Sequence, residues 1–233
     1  MNKGPVGIIG AMQVEIESLA AELVNGKEEE IGGLTFRTGE LCGVPVVLTV
    51  CGIGKVFAAM AAQTMILRFG VSAVINTGVA GTLTDKLSIG QVALADRVVQ
   101  HDMDTSAVGD PVGLISGLNL VYMPTDALLT AKISAVLSGM QVPHLTGTVA
   151  SGDVFVATTE KKNYIRDTFG AVACEMEGAS IGQVCTVNRT PFAVIRAISD
   201  GGNEDSALDY PTFVKMAAAT SAEVIRKFLS SLS

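Results

Sequence analysis

Residues 6–24 read VGIIGAMQVEIESLAAELV, five apolar or small residues closed by Gly10 and then a stretch whose apolar positions recur three and four apart. A short apolar run bounded by glycine reads as a buried strand, and the three-four spacing reads as an amphipathic helix. Residues 6–10 and 13–24 are therefore expected to form a strand–helix unit. The alternation recurs along the chain, with strands expected at 35–41, 44–51, 73–77, 91–99, 147–150, 171–175 and 192–198, and helices at 55–69, 125–137, 160–169, 177–188 and 210–232. Strands alternating with helices build an α/β fold with a largely parallel sheet. The Cys42-Gly43-Val44 turn is too short for a helical crossover, so 35–41 and 44–51 should pair as a hairpin and make the sheet mixed.

The chain has 233 residues, 48% of them hydrophobic, with 25 glycines, 7 prolines and 17% charged side chains. That balance can bury a sizeable core and argues against a disordered or fibrous chain, and with no repeat, low-complexity tract or linker it points to one domain over 1–233. The net charge of −7 repels the phosphate backbone, so no nucleic-acid partner is expected. The N-terminal MNKGPVGIIGAM soon reaches Glu15 and Glu17, too early for a signal peptide or a membrane span, so a cytoplasmic protein without a membrane partner is expected. Cys42, Cys51, Cys174 and Cys185 show no C-x-x-C spacing and sit among apolar or small neighbours, as reduced core cysteines do. With only His101 and His144 and no H-E-x-x-H arrangement, no metal is expected. The segment 109–124, GDPVGLISGLNLVYMP, is loop-like yet apolar, and three readings fit it: a subunit contact, a lid, or a loop folded over its own core.

In open α/β sheets ligands gather at the carboxyl ends of strands, so polar residues just after apolar runs carry the functional information. Five junctions stand out: GIIGAM leading to Glu15, NTGVAG at residues 76–81, Ser151-Gly152-Asp153, Glu175-Met176-Glu177, and Arg196 to Asp200. Glu15 shares a helix face with Met12 and Leu19, and the helix dipole would hold it ionised, as a general base requires; an acid placed there only for the dipole is the plainer alternative. Asp200 follows a buried strand and precedes Gly201-Gly202. Among apolar neighbours its carboxyl is disposed to donate a proton, while a simple turn aspartate is equally compatible. Capping explains one of Glu175 and Glu177 but not both.

Three motifs fail on inspection. Gly178-Ala179-Ser180-Ile181-Gly182 matches the G-x-S-x-G elbow, but both histidines precede Ser180, the wrong order for that triad, so close helix packing is expected instead. Gly52-Ile53-Gly54 has Phe57 where a dinucleotide fingerprint needs its third glycine, and Thr49 where a phosphate-binding loop needs its first. Neither nucleotide cofactor nor any other is expected.

Taken in order, GIIGAM with Glu15, CGIGKV, NTGVAG, SGDVF, EMEGA and RAISD resemble the bacterial 5′-methylthioadenosine/S-adenosylhomocysteine nucleosidases, over nearly the whole chain. The wider relatives are the purine nucleoside phosphorylases. The resemblance implies a three-layer α/β/α sandwich with a mixed, largely parallel central sheet, and an enzyme that hydrolyses the N-glycosidic bond of 5′-substituted adenosines to release adenine. It implies that Glu15 activates the attacking water and Asp200 serves N7 of the base. Met176 and Glu177 would hold the sugar, and Phe155 would stack on the base while the Val156 main chain reads its edge. Arg196 and Ser199 would support the water and Asp200, and Val79, Ala80 and Gly81 would border the sugar. Met12, Ile53, Tyr210 and Phe213 would form an apolar slot for the 5′ group. It implies a homodimer in which the loop from Thr105 to Ser116 serves the neighbouring subunit's site. Val79, Tyr210 and Ser116 depart from the pattern, which there carries serine, phenylalanine and proline.

Two related reactions compete. A purine nucleoside phosphorylase could use Lys55 and the Gly52-Ile53-Gly54 turn as a phosphate cradle, although a carboxylate at Glu15 suits water and repels a dianion. A futalosine-type nucleoside would need a roomier 5′ slot. A non-catalytic nucleoside sensor would be expected to lack one of Glu15, Glu177 and Asp200, and all three are present.

Overall fold

The computed structural model describes residues 4–232. Its strands are β1 Val6–Gly10, β2 Val24–Ile31, β3 Leu34–Leu41, β4 Val44–Val50, β5 Ala73–Thr82, β6 Val92–Gln100, β7 Met123–Pro124, β8 His144–Ser151, β9 Ala171–Glu175 and β10 Phe192–Asp200. The helices are α1 Gln13–Ala20, α2 Lys55–Phe69, α3 Ala127–Gly139, α4 Thr159–Phe169, α5 Gly178–Asn188 and α6 Ser206–Ser230, with a short 3₁₀ turn at Ser106–Val108.

Alternation along the central strands sends neighbouring side chains to opposite faces of the sheet. Ile8, Leu48 and Ile75 pack with Ile16 and Leu19 of α1, Ile133 of α3 and Ile225 of α6. Ile9, Val47 and Val74 pack on the other face with Ala58, Ala61 and Met65 of α2 and Ile181 of α5. Helices thus cover both faces of a mixed sheet, the expected α/β/α architecture. Parallel ladders join β4, β1, β5 and β10, and also β6, β8 and β9. Antiparallel contacts from β6 to β10 and from β9 to β5 close β5, β10, β6, β8 and β9 into a ring, leaving β1, β4, β3 and β2 as an open wing.

The wing corrects the helix expected over 13–24. α1 stops at Ala20, and Val24 opens β2, whose residues are mostly exposed and carry Glu28, Glu29 and Glu30. An edge strand with one neighbour and charged side chains gives no apolar alternation to read. The signal present was Gly32-Gly33, both at positive φ, the conformation a two-residue hairpin loop requires. Cys42-Gly43 repeats it between β3 and β4, so the expected hairpin is present. Cys42 is exposed at that turn, unlike the core position expected for it, whereas Cys51, Cys174 and Cys185 are buried. The strand expected at 73–77 runs on to Thr82, buried throughout.

The apolar 109–124 segment lies largely over its own core. Ile115 is buried and Val112 and Val121 pack beside Val99 and Phe169, yet Val108 just before it is 82% exposed. Ser180 sits inside α5 with its hydroxyl on Glu177 O, and a side chain at Gly182 would meet Val98 and Phe192, so the G-x-S-x-G stretch is helix packing.

Candidate active site

Seven segments of the chain converge on one cleft at the carboxyl ends of the strands. The turn after β1 and the start of α1 supply Met12 and Glu15, and the turn before α2 supplies Ile53. β5 contributes Val79, Ala80 and Gly81, and the segment after β8 contributes Phe155. Met176 and Glu177 follow β9, Arg196, Ser199 and Asp200 end β10, and Tyr210 reaches in from α6. Val156 lines an adjoining recess beside Phe155 and Asp200. Phe213 lines neither, and no residue from Thr105 to Ser116 borders the cleft of its own chain.

At the centre lies Arg196, 1% exposed. Its Nη2 pairs with Glu175, lies 3.5 Å from Glu177 and donates to Asn76 Oδ1. Glu175 also takes the N–H groups of Glu177 and Gly178, so it is the acid that serves the N-terminus of α5. Glu177 is thereby free to reach across and accept the Gly54 N–H at 2.9 Å. Sequence reasoning noticed Glu175 but gave it no place in the site; the signal for it was the second carboxylate of Glu-Met-Glu.

Glu15 Oε2 accepts the N–H groups of Ala11 and Met12 at 2.7 and 3.0 Å, and Oε1 accepts that of Val79 at 3.1 Å. Burial pushes its carboxyl above the ordinary 4.5, against the pull of Arg196 and those three N–H groups. The dipole argument made from sequence is thus corrected: desolvation outweighs it, and the carboxyl holds its proton more tightly than an exposed glutamate does. Glu177 is pushed up to about 7 by burial and by the charge of Glu175, against Arg196 and the Gly54 N–H. Asp200 is the last residue of its strand rather than part of a turn. It accepts Ser199 Oγ–H at 2.9 Å and Gly202 N–H at 3.0 Å, so its surroundings are more polar than the sequence suggested.

The mouth is apolar. Phe155 and Tyr210 meet edge to face at 5.6 Å, and the Tyr210 hydroxyl donates to Met12 Sδ at 2.9 Å. Phe155 is held by the segment preceding it. Gly152 lies so close to the His101 ring that any side chain would collide, Asp153 N donates to Asp102, and Asp153 Oδ1 accepts Lys55 N at 2.8 Å.

The proposed phosphate cradle is thereby filled from within. The first amides of α2, at Gly54 and Lys55, go to Glu177 and Asp153, and the Lys55 ammonium pairs with Asp102 at 2.7 Å.

Residues 5–230 match the family described as the phosphorylase superfamily. The 5′-methylthioadenosine/S-adenosylhomocysteine nucleosidase of Shewanella denitrificans is 37% identical over 97% of this chain and 99% of its own. The corresponding nucleosidase of Neisseria meningitidis, solved with methylthio-immucillin-A, superposes with a TM-score of 0.95 at 36% identity, covering 98% of this chain and 99% of its own. A futalosine hydrolase of Helicobacter pylori superposes with a TM-score of 0.94 at 34% identity, covering 98% of both chains.

Two outcomes test this geometry. A Cβ at Gly78 would lie 2.5 Å from both Glu15 Oε1 and Arg196 Nη1, so Gly78→Ala must push the two apart. A displacement near 1 Å at such a site costs about 10² in rate, and retention of wild-type turnover by the folded variant would contradict the placement. For Glu15 and Glu177 the folded protein binds a proton more tightly than the unfolded chain, so their contribution to stability is present below pH 4.5 and is lost as pH rises through the raised values. The Tm should fall as pH rises from 4.5 through about 7, and Glu15→Gln should flatten that fall; an unchanged slope would show that Glu15 does not hold its proton more tightly in the folded state.

Proposed function

The chain belongs to the phosphorylase superfamily and within it to the 5′-methylthioadenosine/S-adenosylhomocysteine nucleosidases, hydrolases of the N-glycosidic bond, and we propose that Glu15 and Asp200 divide the acid–base work of that hydrolysis between them. Breaking the bond to adenine leaves a cation-like sugar and an electron-rich base. Asp200 relieves the base by donating toward its N7. Glu15 takes a proton from the water that attacks the sugar. Met176 and Glu177 hold the ribose, Phe155 stacks on the adenine, and Val156 reads its edge through the main chain.

The observation that carries the hydrolytic reading is the filled helix terminus. Phosphate would need the Gly54 and Lys55 amides and the Lys55 ammonium, and all three are engaged by Glu177, Asp153 and Asp102. Water needs no such cradle. Glu15, Glu175 and Glu177 outnumber the one guanidinium, so the site keeps no excess positive charge with which to hold a dianion. The apolar mouth of Met12, Ile53, Phe155 and Tyr210 suits a 5′-thioether, and the futalosine hydrolase likeness supports tolerance of a bulkier 5′ group.

The active form we take to be a cytoplasmic homodimer of single-domain subunits. Val56, Phe57, Met60 and Leu67 leave α2 with an exposed apolar face, beside the half-exposed Ile53. An uncovered apolar face of this kind supports burial against another copy, with the loop from Thr105 to Ser116, carrying exposed Val108, as its contribution to the neighbour. No helix among the described residues is long and apolar enough to cross a membrane.

Glu15→Gln and Asp200→Asn should each lower turnover of methylthioadenosine by at least about 10²-fold. Wild-type adenine release should be the same with and without phosphate; strict phosphate dependence would make the enzyme a phosphorylase. Sedimentation should give twice the 24.1 kDa chain mass. A monomer with full activity would remove the shared loop from the site.

A further inference from the structure

The turn that follows Asp200 is held from outside the cleft by α4. Thr159 gives its N–H and its hydroxyl to the Glu204 carboxylate at 2.9 and 2.6 Å, and Lys162 Nζ donates to Gly201 O at 2.7 Å. Gly202 N–H donates to Asp200 Oδ1 at 3.0 Å. Gly201 O and Gly202 N–H belong to one peptide group, so an ammonium and the Asp200 carboxyl sit at the two ends of a single planar amide. An amide whose oxygen accepts from a cation becomes a better donor at its nitrogen.

The surroundings keep that amide in place and its cation unspent. Gly202 has φ +61° and lies against Thr82 O, where a Cβ would come within 3.0 Å, and a side chain at Gly81 would meet Asp200 Oδ1 at 2.7 Å. Among the described residues no carboxylate forms an ion pair with Lys162, whose side chain is half-buried. Its charge reaches the floor of the cleft: the Cys174 thiol is pushed up by burial and by the charges of Asp200 and Glu175, and Lys162 opposes them. Lys162 does not border the cleft, so it is out of reach of a bound substrate.

We infer that Lys162 is a positioning residue for proton donation by Asp200, acting through the peptide between Gly201 and Gly202. The inference rests on the proposed role of Asp200. When Asp200 gives its proton to the departing base, a carboxylate is left behind. The Gly202 N–H, strengthened by Lys162, stabilises that carboxylate more than the protonated form that preceded it. The gain appears in the chemical step rather than in substrate binding.

Lys162→Met should therefore lower kcat on methylthioadenosine roughly five- to twentyfold while KM stays within about twofold, as loss of one charge-assisted contact predicts. Lys162→Arg should restore most of the rate, because a guanidinium can donate to Gly201 O with its charge intact. Lys162→Gln, a neutral donor, should fall between, and serves as the test if the methionine variant does not fold. Three results would overturn the inference: kcat within about twofold of wild type, KM rising in step with the fall in kcat, or an arginine variant as impaired as the methionine one. Asp200→Asn run in parallel separates the two levels. If it stays active, the role of Asp200 fails; if it loses activity while Lys162→Met does not, only the relay fails.

Discussion

A guanidinium sealed in the interior must be surrounded by counter-charge, and meeting that demand for Arg196 organises the catalytic end of the molecule. An uncompensated buried ion costs several kcal/mol, so its partners are fixed in number and place. Glu175 comes from the end of β9, Asn76 from β5, and Glu177 from the cap of α5. The arginine therefore ties β10 to β5 and β9 at the level where the strands end. Glu177, held there, fixes the start of α2 through the Gly54 N–H. Gly78 leaves the room in which Glu15 and Arg196 face each other.

The same arrangement decides which chemistry the cleft favours. Three carboxylates face the one guanidinium, so the site holds no excess positive charge even though burial raises the proton affinity of Glu15 and Glu177. A site so charged is poor for a phosphate dianion. The turn and helix terminus that could have bound an anion are used instead as structural joints, with Asp153 closing α2 and Asp102 holding both Lys55 and the Asp153 amide. Those joints place Phe155 at the mouth. The contacts that place Phe155 and those that occupy the helix terminus are thus one set.

Much of this was legible in the residues. The strand–helix alternation was plain because buried parallel strands are continuously apolar, and Glu15, Glu177 and Asp200 were visible because they interrupt such runs at their ends. The three meet in one cleft. What could not be read had particular causes. β2 is an exposed edge whose glutamates hide the strand, and only Gly32-Gly33 marked it. The part of Glu175 depends on which carboxylate Arg196 meets across the sheet, a matter of register between β9, β5 and β10. The direction in which Glu15 is shifted depends on how deeply α1 is buried, and local helix electrostatics gave the opposite answer.

The ring formed by β5, β10, β6, β8 and β9 returns on itself, so the strands that carry the cleft offer no long free edge. The sheet's principal open margin is β2, and there a neighbouring molecule would have to pair its backbone against Glu28, Glu29 and Glu30. A margin carrying charged side chains is a poor template for such pairing. The acidic margin that obscured the strand in the sequence is thus also one that disfavours edge-to-edge pairing of sheets.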